Sequence, residues 1–411
     1  MTAAPALPEG FDPTDPAINK VGVPLKEFME LRKTAPVFWV EQGPEACAGF
    51  EDGGYWAISK HADIAAVSKD SKKFSTAENG AIIRFAPDMT RDQVELQKVM
   101  LINKDAPDHT KMRQIISRGF TPRAIGALHE ILQERADKIV SDALAKGEGD
   151  FVHDVAAELP LQAIADLMGV PQEDRAKLFD WSNQMLSYDD PDVEGNEEIA
   201  AAEILGYAMG LADQRRQDPK DDIITKLISP HDDGYGTLTD DEFGFFVILL
   251  AVAGNETTRN AITHGMMAFF DNPEQWELWK NERPSTMVDE VIRWATPVVS
   301  FQRTALEDVE IGGQMIKKGQ RVGIFYASGN HDEDVFENSL TFDIARKHNP
   351  HLAFGGHGAH YCIGANLARL EVEIMFNTIA DKMPDLKPAG EPTRFRSAWI
   401  NGIVSLPVTY A

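Results

Sequence analysis

Apolar residues recur at helical spacing along most of this chain. Repeats at i, i+3, i+4 and i+7 predict helices over about 108–118, 122–146, 153–168, 171–187, 196–217, 239–270, 273–282, 285–295 and, near the C-terminus, 365–383. A shorter helix is predicted at 25–32. Alternation with a period of two predicts a strand pair at 37–40 and 55–59, with the Gly53-Gly54 turn before the second strand. Strand signals return at 298–303, 309–311, 314–317, 321–325 and in the C-terminal tail. Residues 76–104 carry neither period, and so long an irregular stretch inside a compact protein is usually functional. Proline-rich residues 1–23 predict an arm wrapped on the surface. The sum is a mainly α chain with small β-sheets. With no Ser/Gly linker, repeat or low-complexity tract, residues 1–411 are expected to form a single domain.

Composition narrows the class. Hydrophobic residues make up 43% of the chain, ample for a large core. The longest apolar run, 243–253, is too short to span a bilayer, which takes about 20 residues. The N-terminal MTAAPALPEGFDPTDPAINK has the form of neither a signal peptide nor a membrane anchor. A net charge of −25, from 40 basic and 65 acidic residues, argues against nucleic acid and anionic membranes as partners. An acidic redox partner would need a locally basic patch. Two cysteines, Cys47 and Cys362, exclude a disulfide scaffold and fit a reducing cytoplasm.

Chemistry concentrates at Phe354-Gly-Gly-His-Gly-Ala-His-Tyr-Cys362-Ile-Gly364. A single thiol sits in a glycine-rich loop that opens into an apolar helix. Backbone N–H groups and the helix dipole stabilise a thiolate there. Glycines let the backbone approach a flat ligand. A lone cysteine is usually an inert core thiol, but the density of glycines around Cys362 favours a ligand for a soft metal. The loop resembles the haem-binding loop of the cytochrome P-450 superfamily, F-G-x-G-x-H/R-x-C-x-G-x-x-L-A-x-x-E. It matches at Phe354, Gly355, Gly358, His360, Cys362, Gly364, Leu367, Ala368 and Glu371, with Gly356 as an extra glycine. The resemblance implies a P-450 fold holding haem b (iron protoporphyrin IX) between the long central helix and the cysteine-loop helix. Cys362 would be the proximal iron ligand, pushing electron density onto the metal and favouring O–O cleavage.

Three further patterns take their meaning from that resemblance. Ala253-Gly-Asn-Glu256-Thr257-Thr258 lies mid-helix. By itself it reads as a kink, since glycine costs about 1 kcal/mol there and Thr hydroxyls bond back to i−4 carbonyls. It is similar to the family's oxygen-activation motif, which implies that Thr257 steadies bound dioxygen and Glu256 delivers protons. Glu290 and Arg293, spaced i, i+3, would alone be a weak surface pair. The family's E-x-x-R and F-D-x-x-R segments imply instead a buried structural cluster with Arg346 from Phe342-Asp-Ile-Ala-Arg346. Asn338 stands where the family often has proline. His109, Arg113, Arg303 and His360 match positions that contact the haem propionates, and Arg forks a carboxylate well.

Pocket candidates are apolar: Ile82, Ile83 and Phe85 in the irregular stretch, with Arg84 beside them; Leu249, Val252 and Ala253 on the long helix; Val298 and Val299 after it; Trp399 near the end. They imply a large apolar substrate. Segments such as Glu78-Asn79-Gly80, Glu158-Leu-Pro-Leu-Gln-Ala-Ile164 and Phe243-Gly-Phe-Phe246 resemble the bacterial steroid side-chain hydroxylases, which oxidise a terminal methyl of cholesterol or cholest-4-en-3-one. Gly254-Asn-Glu-Thr-Thr-Arg-Asn260 and Phe395-Arg-Ser397 also occur in linalool-type terpene hydroxylases. The resemblance implies a cytoplasmic monooxygenase using O2, a steroid or terpenoid substrate, and electrons from NAD(P)H through a ferredoxin reductase and ferredoxin. Lys111, Arg118 and Arg369 are the candidate docking cations. A haem sensor or carrier is the rival class, and the presence of both Glu256 and Thr257 argues against it.

Overall fold

The computed structural model describes residues 7–47, 49–186, 197–230 and 234–411. Short helices α1 (Pro16–Val21) and α2 (Leu25–Thr34) precede strands β1 (Val37–Glu41) and β2 (Gly54–Ile58). Helix α3 (His61–Lys69), strand β3 (Phe74–Ser75) and α4 (Arg91–Leu96) follow. The helical body comprises α5 (Asp108–Ser117), α6 (Pro122–Ala127), α7 (His129–Lys146), α8 (Glu158–Met168), α9 (Arg175–Leu186), α10 (Glu197–Gln217), α11 (Ile223–Ile228), α12 (Asp240–Asp271), α13 (Pro273–Glu282) and α14 (Met287–Ala295), with the small strand β4 (Glu148–Asp150) after α7. Strands β5 (Ser300–Ala305), β6 (Val309–Ile311), β7 (Gln314–Ile316) and β8 (Arg321–Phe325) return the chain to the sheet. Then come α15 (Tyr326–Gly329), α16 (Ala365–Lys382), and β9 (Lys387–Pro388), β10 (Thr393–Arg394), β11 (Ile403–Ser405) and β12 (Pro407–Thr409).

The main sheet has the order β1-β2-β8-β5-β3. Its β2–β8 pairing is parallel and the other pairings are antiparallel. Every residue of β8 is buried, Arg321 included, so the strand shows no alternation of buried and exposed positions. The other sheets are β4-β12-β9, β6-β7 and β10-β11.

Helix α12 is the axis of the molecule. Its start is written in sequence: Thr239 Oγ accepts from Glu242 N at 3.2 Å, and the Glu242 carboxylate accepts from Thr239 N at 3.1 Å. Acidic Asp240, Asp241 and Glu242 complement the positive helix end. The helix buries residues almost all round, because α8, α10, α14 and α16 pack on it. Phe269, near its end, meets the rings of Trp276, Phe342 and Phe376 at centroid distances of 5.0, 5.3 and 5.4 Å. Such pairs add about 0.5–1.5 kcal/mol beyond area burial.

Several boundaries differ from the sequence expectation. The predicted helix 122–146 is divided at Leu128 into α6 and α7. Residues 152–156 form a π-helical turn ahead of α8. Within 76–104 lie α4, closed by a Thr90–Gln93 capping box, and two 3₁₀ turns. The N-terminal arm is partly interior: Asp12 accepts from Tyr55 Oη at 2.8 Å and from the Thr14 hydroxyl at 2.7 Å, and Thr14 is fully buried. Asn338 takes φ of +50°, which proline cannot adopt and Asn tolerates.

Candidate active site

The cysteine loop is pinned by its own backbone. Cys362 N donates to Phe354 O at 2.9 Å, Gly355 N to Leu352 O at 2.8 Å, and Tyr361 N to Gly358 O at 3.0 Å. Gly355 sits at φ +96°, where a side chain is strained. Gly358 lies so close to α3 that an added Cβ would stand 1.7 Å from the Ser68 carbonyl oxygen. The loop therefore needs glycine to seat against the helix.

Cys362 sits deep in the protein but faces a cavity, so its sulfur remains accessible to solvent. Backbone N–H groups of Gly364 and Ala365, with the guanidiniums of Arg113 and Arg369, favour the thiolate. Burial is the larger effect and pushes the thiol above its ordinary value. This sulfur becomes a thiolate when a cation takes it, and a metal ligand position fits it well.

The same cavity is walled on one side by His109, Arg113, Arg303 and His360. The two imidazoles lie with centroids 4.3 Å apart, their planes tilted by 52°. Burial, reinforced by Arg113 and Arg303, keeps both neutral: His109 falls to about 4 and His360 to about 2. Arg113 donates to Tyr361 O at 2.7 Å and Arg303 to Gln302 O at 2.7 Å. Among the described residues neither guanidinium has a carboxylate within salt-bridge distance, and His109 Nε2 is buried without a partner. Two cations and an orphaned donor facing one cavity fit a dianionic ligand. Beside a sulfur held by a flat glycine loop, that is the shape and charge of haem with its two propionates.

The opposite wall is α12. Ala253, Gly254, Thr257 and Thr258 line the cavity. Thr257 Oγ donates to Ala253 O at 2.6 Å, and the helix runs unbroken through the motif. Gly254 serves packing: a Cβ there would stand 2.4 Å from Ile164 Cδ1 of α8. Glu256 is only 1% exposed, does not line the cavity, and pairs with Arg259 one turn on. Burial raises its carboxyl above the ordinary value.

Of the apolar candidates, Leu249, Ala253 and Val298 line the cavity, whereas Ile82, Ile83, Phe85, Val252 and Trp399 do not. Ile83 packs with Phe28 and Tyr55 under the sheet, and its carbonyl accepts from Arg321 at 2.9 Å. Phe85 packs against Phe50 with ring centroids 5.7 Å apart, and Ile82 lies beside them. Val252 and Trp399 surround Phe395 and Ile400, and Trp399 backs Phe301, which does line the cavity. Sequence spacing marks these segments as near the site and carries no information on which side chain of a loop turns inward. Phe246, Phe301, Tyr326 and Glu371 line the cavity and escaped sequence reasoning as pocket residues. Glu371 had a signal, its place in the cysteine motif.

Glu290, Arg293 and Arg346 do meet, away from the cavity. Glu290 accepts from Arg293 Nε and Nη2, each at 2.8 Å, and from Arg346 Nε at 3.0 Å. Arg369 is not free for docking: it pairs with Asp289 at 2.8 Å and lies 4.6 Å from the Phe354 ring. Lys111 is exposed, and Arg118 donates to Gly236 O.

Comparison with known proteins agrees with this geometry. The family model described as Cytochrome P450 matches residues 285–382. A Steroid C26-monooxygenase of Rhodococcus jostii is 62% identical over 99% of this chain and 86% of its own length. A Methyl-branched lipid omega-hydroxylase of Mycobacterium tuberculosis is 40% identical over 93% and 90%. The structure of a Mycobacterium marinum cytochrome P450 in complex with pseudoionone superposes with a TM-score of 0.90 at 34% identity, covering 99% of this chain and all of that one. The chain belongs to the cytochrome P450 family. It is a monooxygenase with haem as its cofactor, and it uses dioxygen, electrons from redox partners and a lipophilic substrate. Among the described residues no helix is long and apolar enough to cross a membrane.

Proposed function

We propose that this enzyme hydroxylates the terminal side-chain carbon of a steroid such as cholesterol or cholest-4-en-3-one. The observation that carries the reading is the 62% identity, over nearly the whole chain, to a protein named for steroid C26 oxidation. The cavity supports it. Away from the basic wall its lining is apolar, with Leu101, Ile102, Ile164, Phe246, Leu249 and Phe301. An aliphatic tail enters such a space at a gain of about 0.8 kcal/mol per buried CH₂, whereas an oxygen atom finds no polar partner among those side chains. The steroid's oxygenated end therefore lies outward and its hydrocarbon end lies over Cys362. The 40% relative, named for omega-hydroxylation of a methyl-branched lipid, is a more distant template for the same orientation. The terpene reading is the weaker one: the neighbour in complex with pseudoionone is 34% identical, against 62% for the Steroid C26-monooxygenase.

When bound, haem supplies activation of dioxygen, with the Cys362 thiolate donating electron density to the metal. The chain's own groups do the rest. Gly364 and Ala365 N–H groups hold the sulfur. Arg113, Arg303, His109 and His360 clamp the propionates, and Tyr326, which bonds to Arg303, completes that wall. Thr257 presents its hydroxyl to the cavity, and Glu256 is the acid behind it, held by Arg259. The apolar wall offers water few partners beside the reacting carbon. The electron donor is a ferredoxin, reduced through its NAD(P)H-dependent reductase in the cytoplasm.

Titrating the holoenzyme with cholest-4-en-3-one and with linalool, then analysing products by mass spectrometry, tests the substrate. Tight binding and terminal hydroxylation of the steroid are expected. Preferential binding and turnover of linalool, with no steroid product, would overturn the steroid assignment. Cys362→Ser should abolish the long-wavelength band of the CO-bound reduced protein; a retained band would remove Cys362 as the ligand.

A further inference from the structure

Arg369 of α16 is fixed against the cysteine loop by side chains from three segments. Its Nε donates to Asp289 Oδ1 of α14 at 2.8 Å, its guanidinium lies 4.6 Å from the centroid of the Phe354 ring, and it bonds to the Tyr361 side chain. Asp289 is held from a second direction, because Oδ1 also accepts from His351 Nε2 at 3.1 Å. The His351 ring in turn packs 5.7 Å from Phe354. Phe354 O accepts from Cys362 N at 2.9 Å, so the ring and the sulfur belong to one hydrogen-bonded unit.

The placement separates this cation from the others near the sulfur. Phe354 and Arg113 line the cavity, whereas Arg369 and Asp289 do not. Arg113 faces the space where propionates would neutralise it. Arg369 stands behind the Phe354 ring, with Asp289 as its counter-ion. The two side chains keep 32% and 42% of their accessible surface, and a pair so exposed contributes only about 0–1 kcal/mol to stability. Stability therefore gives little reason for a guanidinium, a carboxylate, an imidazole and two aromatic rings to converge on one loop. Charge does: the Arg369 guanidinium is one of two cations that favour the Cys362 thiolate.

We propose that Arg369 and Asp289 set the electron affinity of the haem iron, Arg369 as a positive charge held behind Phe354 and Asp289 as the positioning residue that fixes and offsets it. Reduction adds one electron from the redox partner to the iron and its thiolate, and no bond of the chain forms or breaks. A nearby cation stabilises the added negative charge and a nearby anion opposes it, more strongly across an apolar ring than through water. Arg369 thus favours the reduced state, while Asp289 limits that bias and keeps the guanidinium on the ring. Arg369 acts here on the electron acceptor itself, and needs no contact with the electron donor to do so.

The inference rests on Cys362 as the iron ligand and not on the identity of the substrate. The test is a redox titration of the holoenzyme with dithionite and mediator dyes, without ferredoxin, for the wild type, Arg369→Gln, Arg369→Lys, Asp289→Asn and the Arg369→Gln/Asp289→Asn double variant. Arg369→Gln should weaken reduction about threefold, a fall of about 28 mV for one electron. Asp289→Asn, which keeps an acceptor for Arg369 Nε and removes the offsetting charge, should strengthen reduction by a similar factor. The double variant should return close to the wild-type potential, and Arg369→Lys, which keeps the charge, should stay near it. Shifts of opposite sign are the mark of charge, since a loosened loop would move both single variants the same way. Shifts of the same sign, or no shift in either single variant, would overturn the proposal. If Asp289→Asn does not take up haem, the two Arg369 variants decide: a potential lowered in Arg369→Gln and kept in Arg369→Lys supports it, and equal potentials overturn it. Wild-type protein that lacks the long-wavelength CO band would instead sink the ligand assignment on which the inference stands.

Discussion

Two buried Glu–Arg pairs in this molecule share the same i, i+3 spacing and differ in everything else. At Glu290–Arg293 the contacts are complete. The Glu290 oxygens accept from Arg293, Arg346, Asp343 N at 2.9 Å and Asn349 Nδ2 at 3.1 Å. Arg293 also donates to the carbonyls of Asn330 at 2.8 Å and Ser339 at 3.0 Å. At Glu256–Arg259 one carboxylate oxygen meets the guanidinium, and among the described residues Glu256 Oε1 is buried without a partner and both polar atoms of adjacent Asn255 are likewise unpartnered. A satisfied polar cluster rigidifies and specifies a fold, whereas an unsatisfied one costs stability and marks where something else must act. The first pair locks the loops around 330–346. The second lies behind Thr257, at the cavity wall.

Breaking the complete cluster should have the largest effect. Arg293→Ala leaves Glu290 a buried charge deprived of its main partner, and a loss of about 3–5 kcal/mol is expected. Thermal unfolding and haem content of the purified protein would show it; a variant with wild-type Tm would mean the cluster contributes little.

Next comes the acid whose ionisation burial opposes. Glu371 titrates near 8 in the folded protein against 4.5 ordinarily. The folded state holds this proton more tightly than the unfolded chain does. Its stabilising contribution is therefore full below pH 4.5 and is lost as pH rises through about 8. The stability difference between wild type and Glu371→Gln should change by a few kcal/mol over that window. A pH-independent difference would place the carboxyl in a more polar setting.

A smaller effect is expected at the unsatisfied stretch. Thr257→Ala should keep consuming NAD(P)H while product per NAD(P)H falls on the order of tenfold. Unchanged stoichiometry would leave Thr257 as a helix hydroxyl bonded to Ala253 O and nothing more. The smallest effect belongs to the surface. Arg369→Glu removes a cation already shared with Asp289, so reduction by ferredoxin should slow only about two- to fivefold, and less at high salt. An equal slowing at all salt concentrations would implicate the Phe354 contact rather than charge.

The two pairs also show what sequence spacing conveys. Both read as E-x-x-R, and nothing within four residues tells which carboxylate will be satisfied. The difference arises from the distant segments that arrive: Phe342–Arg346 and Asn349 reach Glu290, and no such loop reaches Glu256. The same holds for the pocket. The stretch carrying Ile82, Ile83 and Phe85 was legible as special because it breaks periodicity, but the space beneath the sheet claimed Ile83 and Phe50 claimed Phe85.

By itself the sequence determined the class of protein, because its chemistry is local. A thiol, its flanking glycines and the start of the helix that follows lie within 18 residues of chain, from Phe354 to Glu371, and their geometry follows from backbone hydrogen bonds between near neighbours. Long periodic helices such as α10 and α12 were legible for the same reason, since their contacts recur every turn. The tertiary structure alone decided which residues face one another across the cavity. Glu371 is distinctive only because α16 turns it away from water and towards Thr258 of α12, 113 positions earlier in the chain. Burial, which sets both that proton affinity and the orphaned oxygen, is a property of packed neighbours, and no local pattern encodes it.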